Sequence, residues 1–97
     1  MSKRFRQQSG RCVFPGYRWC GPHCSGPGEP VNASDACCRK HDLCLDSGQS
    51  PCKCDQAFLK CIEKQINTST LEGRQARMMH QAIRIRAHFS CRNHREL

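Results

Sequence analysis

The sequence is poor in aromatic and acidic residues, and it has no apolar run of the ~18 residues that a bilayer-spanning helix needs. That absence excludes a membrane-spanning helix within these 97 residues. We predict a single domain over 1–97 with a modest core. The chain is 37% hydrophobic and has four phenylalanines, one tyrosine and one tryptophan. The opening segment MSKRFRQQSGR has no apolar core, so we expect residues 1–11 to form a flexible basic arm and not a signal peptide.

The shortage of acidic residues gives a formal net charge of +8, from 16 lysines and arginines against eight aspartates and glutamates. Such a charge favours anionic partners, either nucleic acids or acidic lipid surfaces, although it also fits an ordinary solvated surface. The sequence has neither an aromatic RNA-binding motif nor a helix-turn-helix pattern. We therefore expect no nucleic-acid partner, and we infer no obligate protein partner.

Cysteine is the residue that this sequence has in excess, with ten in 97 positions. An even number at this density is typical of a disulfide scaffold, which stabilises a domain whose core is small. Disulfides indicate a secreted protein or another oxidising compartment. A less favoured alternative is a zinc module, whose ligands would include CGPHC and several histidines: Cys20, Cys24, His41, His80, His88 and His94.

Glycine and proline concentrate in residues 12–32, which predicts a long structured loop. Capping residues and hydrophobic periodicity then predict three helices, near residues 34–47, 51–66 and 71–90. Asn32 or Ser34 can cap the first helix, and Ser50 can cap the second. No strand pattern is present, so the predicted fold class is mainly α.

The third predicted helix has two different faces. Its expected buried stripe consists of Met79, Ala82, Ile83 and Phe89. Basic side chains fall on another side, at Arg74, Arg77 and Arg84.

The cysteines of the first two predicted helices repeat at intervals of seven residues, close to two helical turns. Cys37 and Cys44 therefore line one face of the first helix, and Cys54 and Cys61 line one face of the second. Because only GQS connects these helices, they are expected to be antiparallel neighbours. That arrangement pairs Cys44 with Cys54 and Cys37 with Cys61.

A histidine and two aspartates lie around these predicted disulfides. His41 shares the cysteine face of its helix, so it points at the second helix, where Asp55 can approach the imidazole. A carboxylate that orients a histidine supports a general base. Asp42 is turned about 100° away from His41, toward the loop. Each residue alone is more often a packed or solvated side chain, but together they indicate a catalytic site.

Two motifs and a longer pattern resemble known phospholipases. DACCRKHD resembles the Asp-x-Cys-Cys-x-x-His-Asp signature of the secreted phospholipases A2, and YRWCGP is similar to the calcium loop of that superfamily, notably the bee-venom type. The run PGYRWCGPHCSGPGEPVNASDACCRKHD, followed by DSGQSP and CDQAFL, is similar in order and spacing to the phospholipase A2 domain of parvovirus capsid proteins, which lacks these cysteines. The resemblance covers about residues 13–62.

The resemblance implies a small, disulfide-stapled phospholipase A2-like fold. Two antiparallel helices would carry the site, with a calcium loop before them and a third helix after them. The implied enzyme uses Ca²⁺ to hydrolyse the sn-2 ester of glycerophospholipids, releasing a fatty acid and a lysophospholipid. It would act at a phospholipid membrane surface, for which the basic charge favours anionic lipid. The family pattern also pairs Cys20 with Cys38.

The family's site roles transfer to matching positions of this sequence. The resemblance implies that His41 is the general base, that Asp55 is its partner, and that the N–H of Gly21 stabilises the oxyanion. It assigns Ca²⁺ to one carboxylate and three loop carbonyls, from Asp42, Trp19, Gly21 and His23. An all-oxygen set suits a hard cation.

Two positions depart from the family pattern. His23 replaces a loop glycine, and Leu45 replaces the tyrosine that usually supports the aspartate. The first change and the basic charge favour an alternative function, a catalytically silent lipid-binding or membrane-disrupting protein on the same fold. Aromatic contacts with a membrane are expected from the loop unless these rings pack in the core: Phe14, Tyr17 and Trp19.

Overall fold

The computed structural model describes residues 12–21 and 24–95. Its helices are α1 (Ala33–Asp46), α2 (Pro51–Glu63) and α3 (Leu71–Arg95), and no strand occurs among the described residues. The predicted mainly α fold is confirmed, whereas the predicted basic arm lies outside the described residues. Among the helices of this described part, none combines the length and the apolar character that crossing a membrane requires.

Capping side chains fix where the first two helices begin. The side chain of Asn32 accepts a hydrogen bond from the Asp35 N–H at 2.8 Å, so Asn32 and not Ser34 caps α1. Ser50 caps α2 in the same way, and Pro51 occupies the first helical position, where its missing N–H costs no hydrogen bond. Residues next to each helix start therefore determine where α1 and α2 begin.

Two helix ends differ from the prediction. α2 ends at Glu63 and not near residue 66, because the N–H groups of Gln65 and Ile66 bond three residues back and tighten the chain into a turn. α3 continues to Arg95 and not only to about residue 90. No glycine or proline follows residue 90 to end the helix.

Five disulfides join all ten cysteines. The three predicted pairs are confirmed, and two more complete the set: Cys37–Cys61, Cys44–Cys54, Cys20–Cys38, Cys12–Cys24 and Cys52–Cys91. The first two staple α1 to α2, and the last joins α2 to α3. Because no thiol is free, the zinc interpretation is wrong. A set of five disulfides is typical of proteins from oxidising compartments.

The apolar core forms around α2, which contacts both other helices. Phe58 and Ile62 of α2 are 4% and 0% exposed. They pack in one cluster with Ala76 and Met79 of α3 and with Tyr17 of the loop. The core is small, as the shortage of aromatic residues predicts.

The predicted buried stripe of α3 is only partly correct. Met79 is buried and Ile83 packs against the core, but Ala82 is exposed and Phe89 is 57% exposed. Phe89 lies six residues after Ile83, which turns its side chain about 120° from that of Ile83 and off the inner face. Ala87, which is 8% exposed, lies on the inner face near this level.

Truncation of Phe58 and of Phe89 tests which of the two side chains belongs to the core. We expect Phe58→Ala to lower the free energy of unfolding by about 3–5 kcal/mol, because it removes a buried ring. The matched control Phe89→Ala should change it by less than about 0.5 kcal/mol. Chemical denaturation with the disulfides intact measures both values. Similar losses in the two variants would contradict this assignment of the core.

Candidate functional site

A histidine and an aspartate meet between α1 and α2. His41 Nε2 lies 2.7 Å from Asp55 Oδ1, and the two side chains are 8% and 0% exposed. Phe58 packs its ring against the imidazole, with ring centroids 5.2 Å apart. Because the carboxylate accepts a hydrogen bond from the Nε2–H group, the unshared electron pair of the neutral ring lies on Nδ1. The pair can therefore work as an oriented base.

The second oxygen of Asp55 is bound from α3. The hydroxyl of Ser90 donates to Asp55 Oδ2 at 2.9 Å, and Arg86 Nε lies 3.6 Å from the same oxygen. Neither residue is indicated by the sequence as part of a site. Spacing could have placed both beside Met79 and Ile83 on the inner face of α3, but it carries no information on which α2 side chain they meet.

Asp42 follows His41 in α1 and has a different environment. Its Oδ2 is buried and has no hydrogen-bond partner. Burial, and then the negative charges of Asp46 and Asp35, raise the pKa of the Asp42 carboxyl to about 7. A cation beside this carboxylate would offset both the desolvation and the repulsion.

Asp35 holds the loop against the start of α1. Its side chain is fully buried and accepts four backbone N–H bonds of 2.8–3.2 Å, from Arg18, Trp19, Cys20 and Val31. The Cys20–Cys38 disulfide fixes the same segment to the same helix. Asp35 is the first residue of the DACCRKHD motif, but the motif alone does not predict its contact with the loop.

Trp19 and Gly21 of the loop line the cavity that Asp42 also lines. Gly21 has a φ of 127°, a conformation that residues with a side chain rarely adopt. Its carbonyl accepts the N–H of Cys24 at 3.1 Å, which leaves one lone pair for another partner. His23, the other predicted loop ligand, lies outside the described residues.

A cavity of about 360 Å³ opens beside these groups. Four of the predicted site residues line it: Trp19, Gly21, His41 and Asp42. Most of its other walls are apolar: Val13, Leu45, Phe58, Met79, Ala82 and Ile83. Asp55 does not line the cavity, but it contacts Nε2 of His41, which does. A cavity with mostly apolar walls and a few polar side chains suits an amphiphilic ligand.

The donors available for a metal at this place are oxygen atoms. Within residues 12–21 and 24–95, no group of three or more histidines, cysteines or acids is arranged to hold a metal ion. Asp42 can supply carboxylate oxygens, and Trp19 and Gly21 can supply backbone carbonyls. Such a set suits a hard cation such as Ca²⁺, and the unpartnered Asp42 Oδ2 fits this role.

Of the three loop aromatics, Tyr17 is less exposed than predicted. Tyr17 is buried, and its hydroxyl donates to Gln75 at 2.8 Å and accepts from Asn32 at 3.1 Å. The prediction that Tyr17 is available to a membrane is therefore wrong. Phe14 packs against Tyr17, and Phe14 and Trp19 are both partly buried.

Comparison with family models matches residues 11–76 to the phospholipase A2-like domain. The chain is 34% identical to a phospholipase A2 of Xylocopa aruana over 62% of its length, and 35% identical to one of Apis mellifera over 60%. It covers 45% and 47% of those proteins, and thus spans about half the length of these relatives.

A further relative is the basic phospholipase A2 homolog ecarpholin S of Echis carinatus. It is 29% identical over 70% of this chain and 80% of that protein. No solved structure matches the chain. These relatives agree with the predicted secreted-type superfamily, whereas the closer likeness to parvovirus capsid domains stays a prediction.

Replacing Asp35 should release the loop. Asp35→Asn leaves a neutral side chain with one acceptor oxygen for four N–H groups, so we expect a loss of about 2–4 kcal/mol in the free energy of unfolding. Amide hydrogen exchange should become faster at Trp19 and Cys20. Asp46→Asn, at an exposed position of the same helix, is the control and should change stability by less than about 0.5 kcal/mol. Unchanged protection of the Trp19 amide in Asp35→Asn would contradict the assignment.

Proposed function

Because the chain belongs to the phospholipase A2-like family, we propose that it hydrolyses the sn-2 ester of glycerophospholipids. The strongest support is the buried 2.7 Å contact between His41 Nε2 and Asp55 Oδ1, beside a cavity with apolar walls. This contact leaves Nδ1 of the ring as a base. A base next to an apolar cavity suits an ester that carries acyl chains.

In the proposed reaction, His41 Nδ1 takes a proton from a water molecule while the water oxygen attacks the ester carbonyl carbon. Asp55 keeps the ring oriented and stabilises its positive charge. The Gly21 N–H donates to the developing oxyanion. The bond between the acyl carbon and the glycerol oxygen then breaks, and His41 returns its proton to that oxygen. The products are a fatty acid and a lysophospholipid.

We propose Asp42 as the charged ligand of a calcium ion. The carbonyls of Trp19 and Gly21 would complete the described part of this site, and the carbonyl of His23 is a further candidate. Bound Ca²⁺ would supply Lewis-acid polarisation of the ester carbonyl. The proposal is supported by the buried Asp42 Oδ2, which has no hydrogen-bond partner.

Fatty-acid release from phospholipid vesicles tests this function. We expect release by the wild-type chain with calcium and none after a chelator is added. His41→Gln should lower kcat by about 10²-fold or more, because it removes the base at similar side-chain size. Asp55→Asn should lower it less, because the base remains. Wild-type turnover in a folded His41→Gln variant would contradict the mechanism.

Two charge changes serve as a matched pair in the same assay. Asp42→Lys should abolish release, because it puts a cation where calcium is proposed to bind. Glu63→Lys makes a similar change at an exposed position at the end of α2 and should retain most of the activity. Vesicle binding by the wild-type chain without any release would favour the alternative, a silent lipid-binding protein.

The partner that we propose is an anionic phospholipid surface. The outer face of α3 exposes large apolar side chains, with Met78 at 58%, Ile85 at 65% and Phe89 at 57%. Met78 and Ile85 are seven residues apart, so they project in nearly the same direction. Exposed arginines lie beside them on the same helix: Arg74, Arg77, Arg84 and Arg92. Apolar side chains among basic ones suit an anionic bilayer surface.

We also propose that the protein is secreted. The support is physical, because five disulfides in 97 residues are stable only where thiols are not kept reduced. An extracellular location would also bring the basic face of α3 into contact with lipid surfaces.

Vesicle binding tests the proposed surface. We expect much stronger binding to anionic than to zwitterionic vesicles, and weaker binding as salt rises from ~0.05 to ~0.5 M and screens the charges. Ile85→Asp should weaken anionic binding, because it removes an apolar contact and adds a negative charge. Leu43→Asp, at a residue of α1 that is 50% exposed, is the matched control and should bind nearly as the wild type. Equal binding to both vesicle types would reject the proposal.

A further inference from the structure

The carboxylate of Asp55 is held from two sides by different helices. Its Oδ1 contacts His41 of α1 at 2.7 Å, and its Oδ2 accepts the hydroxyl of Ser90 of α3 at 2.9 Å. The side chain is 0% exposed, so water does not compete for these oxygens. Each oxygen of a buried carboxylate needs a donor, and Ser90 is the hydroxyl that meets this need at Oδ2.

Arg86 supports the same oxygen in a weaker way. Its Nε lies 3.6 Å from Asp55 Oδ2, too long for a good hydrogen bond, and its side chain is 50% exposed. Solvent therefore screens much of the attraction between the two charges. Ser90 supplies direction to the carboxylate, and Arg86 supplies mainly charge.

A disulfide holds Ser90 at this place. Cys91 follows Ser90 and is bonded to Cys52, which lies three residues before Asp55 on α2. Three residues are close to one helical turn, so Cys52 and Asp55 point to the same side of α2, toward α3. Helix α3 is attached to α2 by this bond and by the packing of Met79, so we expect α3 to stay in place when the hydroxyl of Ser90 is removed.

We propose that Ser90 is a positioning residue of the catalytic centre. It fixes the plane of the Asp55 carboxylate so that Oδ1 accepts a hydrogen bond from the Nε2–H group of His41, which keeps Nδ1 free to act as the base. This inference deepens the proposed phospholipase function and rests on it. Leu45 stands where the family has a supporting tyrosine, and Ser90 provides the missing hydrogen bond from a different helix.

The test compares Ser90→Ala, Ser90→Thr and the control Ser69→Ala, which changes an exposed serine outside the site. We expect Ser90→Ala to lower kcat about 3–30-fold with KM within twofold, because orientation of the base is lost and substrate binding is not. Ser90→Thr keeps a hydroxyl and should restore kcat to within about threefold. Ser69→Ala should leave both constants unchanged.

A second measurement does not depend on activity. NMR of the His41 imidazole, assigned by the loss of its signal in His41→Gln, reports exchange of the Nε2 proton. We expect exchange to be at least about fivefold faster in Ser90→Ala and near the wild-type rate in Ser90→Thr. If the wild type releases no fatty acid, the proposed function fails, and this exchange rate still decides the role of Ser90.

A double variant shows through which residue Ser90 acts. If it acts through Asp55, Ser90→Ala should cost little further activity in an Asp55→Asn background. Equal losses in both backgrounds would overturn the proposal. So would unchanged kcat and unchanged Nε2 exchange in a folded Ser90→Ala variant. A loss of unfolding stability that parallels the loss of activity and is not rescued by Ser90→Thr would indicate a merely structural serine and would also overturn it.

Discussion

The geometry of the site depends on one buried carboxylate, that of Asp35, on which four backbone N–H groups converge. Without it the buried N–H of Cys20 would lose its partner, at a cost of about 1–3 kcal/mol, and the partly buried N–H groups of Arg18, Trp19 and Val31 would lose theirs. Asp35 and Asp42 are seven residues apart on α1, so they project from the same face of a rigid helix. The bonds that hold the loop therefore also set how far its carbonyls lie from Asp42.

The disulfides supply part of the stability that a larger core would provide. Within the described part of the chain, only a few large side chains are fully buried. A disulfide of this kind typically stabilises a domain by about 2–4 kcal/mol. Their positions also serve the site. The two bonds between α1 and α2 lie on either side of His41, and Cys52–Cys91 lies next to Ser90. The same covalent bonds therefore stabilise the fold and hold the helices that carry His41, Asp55 and Ser90.

Local and periodic features of this fold are predictable from the sequence, whereas contacts between distant segments are less so. Caps and seven-residue spacings specify where α1 and α2 begin and which faces meet, because both signals act within one or two turns. Asp35 and the loop residues that it contacts are 15–17 positions apart in the sequence. Ser90 and Asp55 are 35 positions apart. Such contacts depend on how the helices are displaced along their axes, which periodicity does not determine. Phe89 shows the same limit, because periodicity predicts it on the buried stripe of α3, whereas its side chain is 57% exposed.

The two faces of α3 connect the site with the surface. Its inner face places Met79 and Ile83 in the wall of the cavity and Ser90 against Asp55, while its outer face exposes Ile85 and Phe89. A helix that contacts a bilayer on one side and the base's partner on the other would couple docking to the alignment of His41. That coupling requires α3 to move as a rigid unit with α2, to which it is joined by the Cys52–Cys91 bond and by the packing of Met79 in the core.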